Sequence, residues 1–325
     1  MPKTLRRPVL IALLLVVMVL AAACGDDDNT PAAPSGNDTK LSGTINVDGS
    51  STVAPLTEAA ADLFRADNSG VQIPVGTSGT GGGFEKFCAG ETDISDASRA
   101  IKPEEPTEGV ACESNGITYE ELTIANDGLS VVVNKDNTWA TCLTVEQLKA
   151  IWGPDSTVNN WNQVDPAFPD EELALYGPGT DSGTFDYFTD AINGEEGASR
   201  TDYSPSEDDN VTIQGVSGTK GGMGYFGLSY YEQNTDKLNV VEINGGDGCV
   251  KPTTETVQDG SYTPLSRPLF IYPKAESLKR PEVLAFVKFY VENSAEIAET
   301  ALFVPMTEEQ RSEATAKVDA LVAAG

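Results

Sequence analysis

Three short stretches rich in glycine, serine and threonine each stand directly before a segment with helical spacing of apolar residues. They cover residues 49–53, 76–83 and 177–184. After the third, Phe185, Phe188 and Ile192 recur at helical spacing. The first amides of a helix lack intrahelical partners and carry partial positive charge, while glycine admits a ligand close to the backbone and hydroxyls add donors. One such loop is usually a capped helix after a turn, but three in one chain predict a shared anion site.

The segments around these loops alternate between strand and helix patterns. Strands are predicted at residues 41–48, 71–75, 93–99, 122–125, 128–133, 173–176, 223–226, 238–243 and 267–272. Helices are predicted from residue 55, from residue 84, and at residues 143–152, 282–292 and about 308–323. This order is typical of an α/β protein whose ligand loops follow the carboxyl ends of strands.

Residues 1–23 have the pattern of a bacterial lipoprotein signal peptide. Three basic residues precede an apolar run at 9–20, and three alanines lead to Cys24, which would become the lipidated, palmitate-bearing first residue. Ala21 stands where leucine is usual, so an ordinary secretory signal cut nearby is the alternative. The pattern predicts an extracytoplasmic protein anchored to the cell membrane by an N-terminal lipid.

Residues 24–40 and the net charge of the chain bear on which partners the protein can bind. Residues 24–40 are rich in aspartate, proline and glycine and predict a flexible tether. The formal net charge of the chain is −29, which disfavours nucleic acid and anionic membrane surfaces as partners. An anionic ligand must then be held by short-range hydrogen bonds. Each contributes about 1.5–3 kcal/mol to a charged group, whereas distributed surface charge is screened over about 8 Å.

Catalytic patterns are weak in this chain. It contains no histidine, so a Ser-His-Asp triad on the serine-protease-like loop at 179–183 is impossible. A catalytic Ser–Lys pair is not ruled out by the sequence, but no lysine stands out as the partner of a serine. Residues 215–221 only approximate a nucleotide-binding loop. The acidic run at 206–210 could hold a metal, although a solvated helix cap fits better. We therefore expect binding without chemistry, and neither cofactor nor metal.

Six segments together resemble the phosphate-binding lipoproteins of bacterial Pst-type ABC phosphate transporters. They lie at residues 49–53, 76–84, 93–99, 177–188, 222–226 and 264–269, and span essentially all of the mature chain in the expected order. The resemblance implies a two-lobed periplasmic-binding-protein fold of type II, whose hinged lobes close over phosphate. It also implies a receptor for inorganic phosphate that serves the membrane permease of an ABC importer. We expect a monomer.

On this fold, the first lobe is expected at residues 41–132 and 255–325, and the second at residues 133–254. The hinge should lie near the crossings at about 131–136 and 250–268.

The remaining cysteines predict two disulfides, with three connectivities open. They are Cys88, Cys112, Cys142 and Cys249. We favour Cys88–Cys112 and Cys142–Cys249, because each pair then stays within one proposed lobe or its hinge. Zinc is a poor alternative, since histidine and Cys-x-x-Cys spacing are both missing from the sequence.

The resemblance implies phosphate donors in all three loops. The matching positions are Ser51, Thr52 and Val53 in the first loop, Ser78 or else Thr80 in the second, and Ser182, Gly183 and Thr184 in the third.

Two departures from the family pattern affect the expected cationic ligand and the expected acceptor of the phosphate proton. Arg99 stands where many members have the aspartate that accepts the phosphate proton, and Pro178 stands where many have an arginine. We infer that Arg99 supplies the missing cation, with a structural salt bridge at a strand end as the alternative. The proton acceptor would then be Asp181 or, second, Asp96.

Two other functions stay open. One is a receptor for another oxyanion, such as sulfate or molybdate. A buried carboxylate beside the ligand would decide this, because it accepts from protonated phosphate and repels fully ionised sulfate. The other is a surface-anchored phosphohydrolase or adhesin that reuses the fold.

Overall fold

The computed structural model describes residues 40–103 and 108–324, with side chains placed as far as residue 321. The predicted signal peptide, Cys24 and the tether up to residue 39 lie outside the described residues. Within the described ranges, no helix combines the length and the apolar character that crossing a membrane requires.

The described strands are short except for two. They are β1 (Ser42–Thr44), β2 (Val47–Gly49), β3 (Gly70–Gln72), β4 (Val75–Gly76), β5 (Ile94–Ala97), β6 (Leu122–Asn134), β7 (Cys142–Thr144), β8 (Ala174–Gly177), β9 (Ser204–Pro205), β10 (Gly222–Gly227), β11 (Leu238–Val240), β12 (Glu242–Asn244), β13 (Cys249–Val250) and β14 (Ser266–Pro273).

The described helices flank these strands. They are α1 (Ala54–Asp67), α2 (Gly79–Cys88), α3 (Glu108–Ser114), α4 (Val145–Trp152), α5 (Trp161–Val164), α6 (Gly183–Phe188), α7 (Asp209–Gly218), α8 (Leu228–Glu232), α9 (Thr254–Gln258), α10 (Pro281–Glu292), α11 (Ser294–Thr300) and α12 (Glu308–Ala324). A π-helical turn (Thr189–Asn193) continues α6, and a 3-10 turn (Ser277–Lys279) precedes α10.

One mixed sheet of nine strands organises the fold. Its order is β4-β2-β5-β14-β6-β10-β8-β9, with β11 also paired to β6. Strand β2 is parallel to β4 and β5, and β8 is parallel to β9 and β10. Between these parallel halves, β14 runs antiparallel to β5 and β6, and β6 runs antiparallel to β10. The predicted α/β class is confirmed.

The two long strands pass between two hydrophobic cores. Ile124 of β6 and Leu269 of β14 lie in one core, whereas Val131 of β6 and Leu265, just before β14, lie in the other. Two cores joined by crossing strands are the arrangement of a two-lobed fold. The lobe boundaries given above stay a prediction.

Two differences from the sequence-based prediction concern strands. Residues 122–125 and 128–133 belong to one strand, because the polar residues Asn126 and Asp127 continue the ladder with β14. The apolar pattern is interrupted there since the strand leaves one core before it enters the next. Conversely, residues 41–48, 71–75 and 238–243 each overlap two short strands: β1 with β2, β3 with β4, and β11 with β12.

The helix predicted to begin at Phe84 begins five residues earlier, at Gly79, so residues 79–83 of the glycine-rich segment are helical and only residues 77–78 connect it to β4. The physical reason is packing against the strand ends. A Cβ atom at Gly83 would overlap the Cα of Gly49, and it would lie 3.1 Å from Oγ of Ser95. Glycine therefore lets α2 lie directly against β2 and β5.

Two disulfides join distant elements, and they are the two pairs favoured from the sequence. Cys88–Cys112 links α2 to α3. Cys142–Cys249 links β7 to β13, two strands of a separate three-stranded sheet.

Candidate ligand-binding site

A polar cavity of about 470 Å³ lies where three parallel strands end. The ladder aligns Asp48 of β2 with Gly76 of β4 and with Ser95 of β5. The segments that follow these strands therefore emerge together, as expected for ligand loops at carboxyl ends. Residues 50–52, 78–82 and 98–99 line the cavity, and Gly183 of the third predicted loop joins them.

The first loop contributes two of its three predicted residues to the cavity. Ser51 and Thr52 line it, whereas Val53 is fully buried in the core and its amide donates to the carbonyl of Ser50 at 3.2 Å. Thr52 Oγ1 accepts a hydrogen bond of 3.3 Å from Nη2 of Arg267. Because Thr52 accepts this bond, its own hydroxyl proton can point to another acceptor.

In the second loop, Ser78 and Thr80 both line the cavity but have different surroundings. The amide and the hydroxyl of Ser78 both donate to Oδ1 of Asp48, whose Oδ2 is 2.6 Å from Nζ of Lys86. The Ser78 proton is therefore engaged in holding the loop. Thr80 Oγ1 accepts from the amide of Ser98 at 3.2 Å and lies 3.0 Å from the Ser98 hydroxyl, a pair in which either hydroxyl can donate. When Ser98 donates in that pair, the Thr80 proton can point to a ligand, whereas the Ser78 proton is held by Asp48.

Of the four predicted residues of the third loop, Gly183 alone lines the cavity. Ser182 caps α6, because its Oγ accepts from the amide of Thr184 at 3.2 Å. Thr184 lines a neighbouring cavity of about 240 Å³, and Asp181 is exposed at the surface. This loop reaches the site mainly through its backbone.

Arg99 lines the cavity and also forms the salt bridge that was the alternative reading. Its Nη2 lies 2.6 Å from Oε1 of Glu108, and its guanidinium lies 5.6 Å from the ring centre of Phe84. Burial alone would raise the pKa of Glu108, but the hydrogen bond and charge of Arg99 outweigh burial and lower it. The two roles are compatible, because a guanidinium carries five N–H donors.

Arg267, which the sequence-based prediction missed, is the second arginine of the cavity. Its Nε and Nη2 each donate to Oδ2 of Asp127 at 3.2 Å, and its guanidinium lies 3.6 Å from the ring centre of Tyr187. Burial raises the pKa of Asp127, and Arg267 partly offsets this. Two signals could have identified it: Arg267 lies in a segment that matches the family, and Asp127 interrupts an apolar strand.

Charges of opposite sign occupy different segments of the cavity wall. Lys102 joins the two arginines, whereas Asp186, Asp190 and Glu196 come from α6 and the residues after it. Burial raises the pKa of Asp186 to about 6, helped by Glu196 and opposed by Arg267.

Neither predicted proton acceptor lines the cavity. Asp181 is exposed, and Asp96 is fully buried beneath the first loop, where it accepts from Oγ1 of Thr57 at 2.9 Å. Burial raises the pKa of Asp96 to about 8, against the Thr57 hydrogen bond, and the charge of Asp48 adds to the increase. Asp186 is the partly buried carboxylate that the sequence-based prediction missed here.

The acidic run at residues 206–210 serves as a helix cap. Asp208 Oδ1 accepts from the amide of Asn210 at 2.9 Å at the start of α7. Across residues 40–103 and 108–324, no group of three or more acidic or cysteine side chains is arranged to hold a metal ion.

A polar cavity at the carboxyl ends of strands, beside the strands that join two cores, defines a substrate-binding protein of the periplasmic type. The sequence pattern of the PBP superfamily domain matches residues 34–294, and the chain belongs to this superfamily.

Named relatives show which substrate-binding proteins this chain resembles. Protein SphX of Synechocystis sp. is 48% identical over 273 residues, which cover 83% of this chain and 80% of SphX. The phosphate-binding protein PstS of Staphylococcus saprophyticus is 41% identical over 285 residues, covering 87% of this chain and 86% of PstS. A crystal structure of a possible phosphate binding protein from Planctomyces limnophilus is 45% identical, with a TM-score of 0.82, and covers 87% of this chain and 99% of that one.

Proposed function

We propose that this protein is an extracytoplasmic receptor that binds inorganic phosphate in the cavity of about 470 Å³ and delivers it to an ABC importer. The observation that carries the proposal is the convergence of loop hydroxyls and two guanidinium groups on this cavity. Planar guanidinium groups suit bidentate contact with tetrahedral oxyanions. A relative named as a phosphate-binding protein supports the choice of ligand.

The proposed ligand set differs in part from the one implied by the family resemblance. Direct donors are the hydroxyls of Thr52 and Thr80, the guanidinium groups of Arg99 and Arg267, and the amide of Gly183, with Ser51 beside them. Ser78 and Ser182 shape their loops, and Val53 and Thr184 hold backbone positions next to the cavity. Asp186 takes the place of Asp181 and Asp96 as acceptor of the phosphate proton.

Calorimetric titration of the mature chain with phosphate, sulfate and arsenate tests the ligand. Phosphate and arsenate, which keep a proton near neutral pH, should bind at one site, and sulfate should bind more weakly. Equal affinity for phosphate and sulfate would favour a general oxyanion receptor. No heat with any of the three anions would contradict the proposed function.

We also propose that the two lobes close over the anion about the hinge near residues 131–136 and 250–268. The basis is that β6 and β14 pass between the two cores, and that Arg267 of β14 lines the polar cavity. Small-angle X-ray scattering should show a smaller radius of gyration with saturating phosphate than without it.

Membrane anchoring through Cys24 is the remaining part of the proposal. Because the tether precedes the described fold, Cys24→Ala should release the protein from the membrane fraction and leave phosphate affinity unchanged. Retention of the processed Cys24→Ala protein in the membrane fraction would contradict the lipid anchor but not the phosphate site.

A further inference from the structure

The guanidinium group of Arg267 is held on several sides. Asp127 Oδ2 accepts from both Nε and Nη2, the centre of the Tyr187 ring lies 3.6 Å from the guanidinium carbon, and Thr52 accepts from Nη2. The side chain of Asp127 is 6% exposed and that of Arg267 is 18% exposed. Its remaining N–H donors therefore have few directions available other than the cavity that Arg267 lines.

The backbone fixes the position of the carboxylate. Arg267 of β14 lies directly opposite Asp127 of β6 in the antiparallel ladder, and Ser266 lies opposite Gly128. This pair sits between Ile124 and Leu269 in one core and Val131 in the other. The carboxylate is thus carried by two paired strands rather than by a loop, so little motion is available to it.

A chain of donors runs from this carboxylate to the cavity. Asp127 accepts from Arg267, Arg267 donates to Thr52, and the hydroxyl of Thr52 is left to donate onward. Arg99 is held less firmly than Arg267. The side chain of Arg99 is 35% exposed, and its partner Glu108 is the first residue of the short helix α3.

From these contacts we infer that Asp127 is a positioning residue, which orients Arg267 and through it Thr52 toward the bound anion. The inference rests on the proposed function. It also runs against simple electrostatics, because a carboxylate near an anion site lowers affinity by its charge alone. If orientation dominates, replacing Asp127 by a neutral residue should weaken phosphate binding. If charge dominates, the same replacement should strengthen it.

Two substitutions separate these effects. Asp127→Asn keeps the shape and removes the charge, so its amide oxygen accepts from Arg267 more weakly than the carboxylate does. Asp127→Glu keeps the charge and moves the carboxylate. If Asp127 positions Arg267, both should weaken phosphate binding in calorimetry, by at least about tenfold for Asp127→Asn, roughly one charged hydrogen bond. Stronger binding by Asp127→Asn with unchanged binding by Asp127→Glu would overturn the inference.

A double-mutant cycle tests whether Asp127 acts through Arg267. Asp127→Asn should change phosphate affinity less than about twofold when Arg267→Gln is already present, because the oriented group is gone. Full additivity would show that the carboxylate does not act through the arginine.

The matched control is Asp93→Asn, which removes another buried carboxylate paired with an arginine, Arg280 at 2.7 Å, away from the cavity. It should lower the melting temperature and leave phosphate affinity unchanged. If Asp93→Asn weakens binding as much as Asp127→Asn does, the effect is general destabilisation and the inference fails.

A measurement without phosphate keeps this test separate from the proposed function. In ¹⁵N-arginine spectra of the ligand-free protein, the Nε–H proton of Arg267 should exchange slowly with water in the wild type and faster in Asp127→Glu. Slow exchange in both proteins would overturn the positioning role whether or not phosphate binds. If this exchange changes as expected but no anion binds, the proposed function alone is wrong.

Discussion

Gly183 lies so close to Thr52 that a Cβ atom at residue 183 would overlap the threonine hydroxyl. The third loop and the first loop therefore meet at a contact to which residue 183 contributes no side chain. Gly183→Ala should push the loops apart and displace Thr52, and we expect at least a tenfold weaker phosphate affinity by calorimetry. Gly218→Ala is the control, since a Cβ atom there meets nothing within 4 Å. Unchanged affinity in Gly183→Ala would mean that the contact is not needed for binding.

The two arginines should contribute unequally. Arg99→Ala is expected to cost about 1.5–3 kcal/mol of binding free energy, the range for a charged hydrogen bond, and Arg99→Lys should recover only part because the fork is lost. Arg267→Ala should cost more, because Arg267 is more deeply buried and also orients Thr52. Arg65→Ala, on the outer face of α1, serves as the control. If Arg99→Ala binds phosphate like the wild type, Arg99 serves only its salt bridge with Glu108.

Asp186 should set the preference for phosphate over sulfate. As a carboxylate it can accept the proton of monohydrogen phosphate, whereas it repels sulfate, which has no proton to offer. Burial raises the pKa of Asp186 to about 6, so the preference should decline as the pH falls through 6. In Asp186→Asn the preference should be smaller and independent of pH over that range. Competition between the two anions at pH 5 and pH 8 measures it, and an undiminished preference in Asp186→Asn would exclude this role.

Asp96 should make stability depend on pH. Its pKa is raised from 3.8 to about 8 in the folded protein, so between these values the folded state holds a proton that the unfolded state has lost. The free energy of unfolding should therefore fall steadily as the pH rises across this window. Asp96→Asn should remove this contribution and be more stable than the wild type at pH 8.

Urea unfolding at several pH values checks the Asp96 prediction, with the exposed Asp62→Asn on α1 as the control. The difference between Asp96→Asn and the wild type should grow with pH. A difference that stays constant from pH 5 to pH 8 would show that Asp96 is ionised throughout.

Local pattern predicted most of the elements that carry the cavity. Strand ends followed by small polar residues indicated α1, α2 and α6, and the strand registers then place the first two at one edge of the sheet. The start of α2 was misjudged because its first five residues, four of which are glycine, have low helix propensity. Packing against Gly49 overrides that propensity, and such a contact is not visible in local sequence.

The charged groups of the cavity were harder to predict, because their partners are distant in the chain. Arg267 is 140 residues from Asp127 and 215 from Thr52, so no local spacing connects them. Asp186 lies inside a segment with helical spacing, where a charged residue usually marks a solvated face. By contrast, Arg99 lies in a segment that directly follows a strand, and it lines the cavity, although its role as a ligand stays a prediction.

The Cys88–Cys112 disulfide joins the helix that begins beside Thr80 to the helix that begins with Glu108, the partner of Arg99. A helix of the cavity wall is thus tied to the helix that holds the partner of Arg99, by a bond that persists only in oxidising surroundings. Reduction should therefore weaken phosphate binding, which titration with and without dithiothreitol would show, and equal affinities would contradict it. A chain still inside the reducing cytosol would hold phosphate poorly, so the cell could synthesise this receptor in quantity without withdrawing phosphate from its own metabolism.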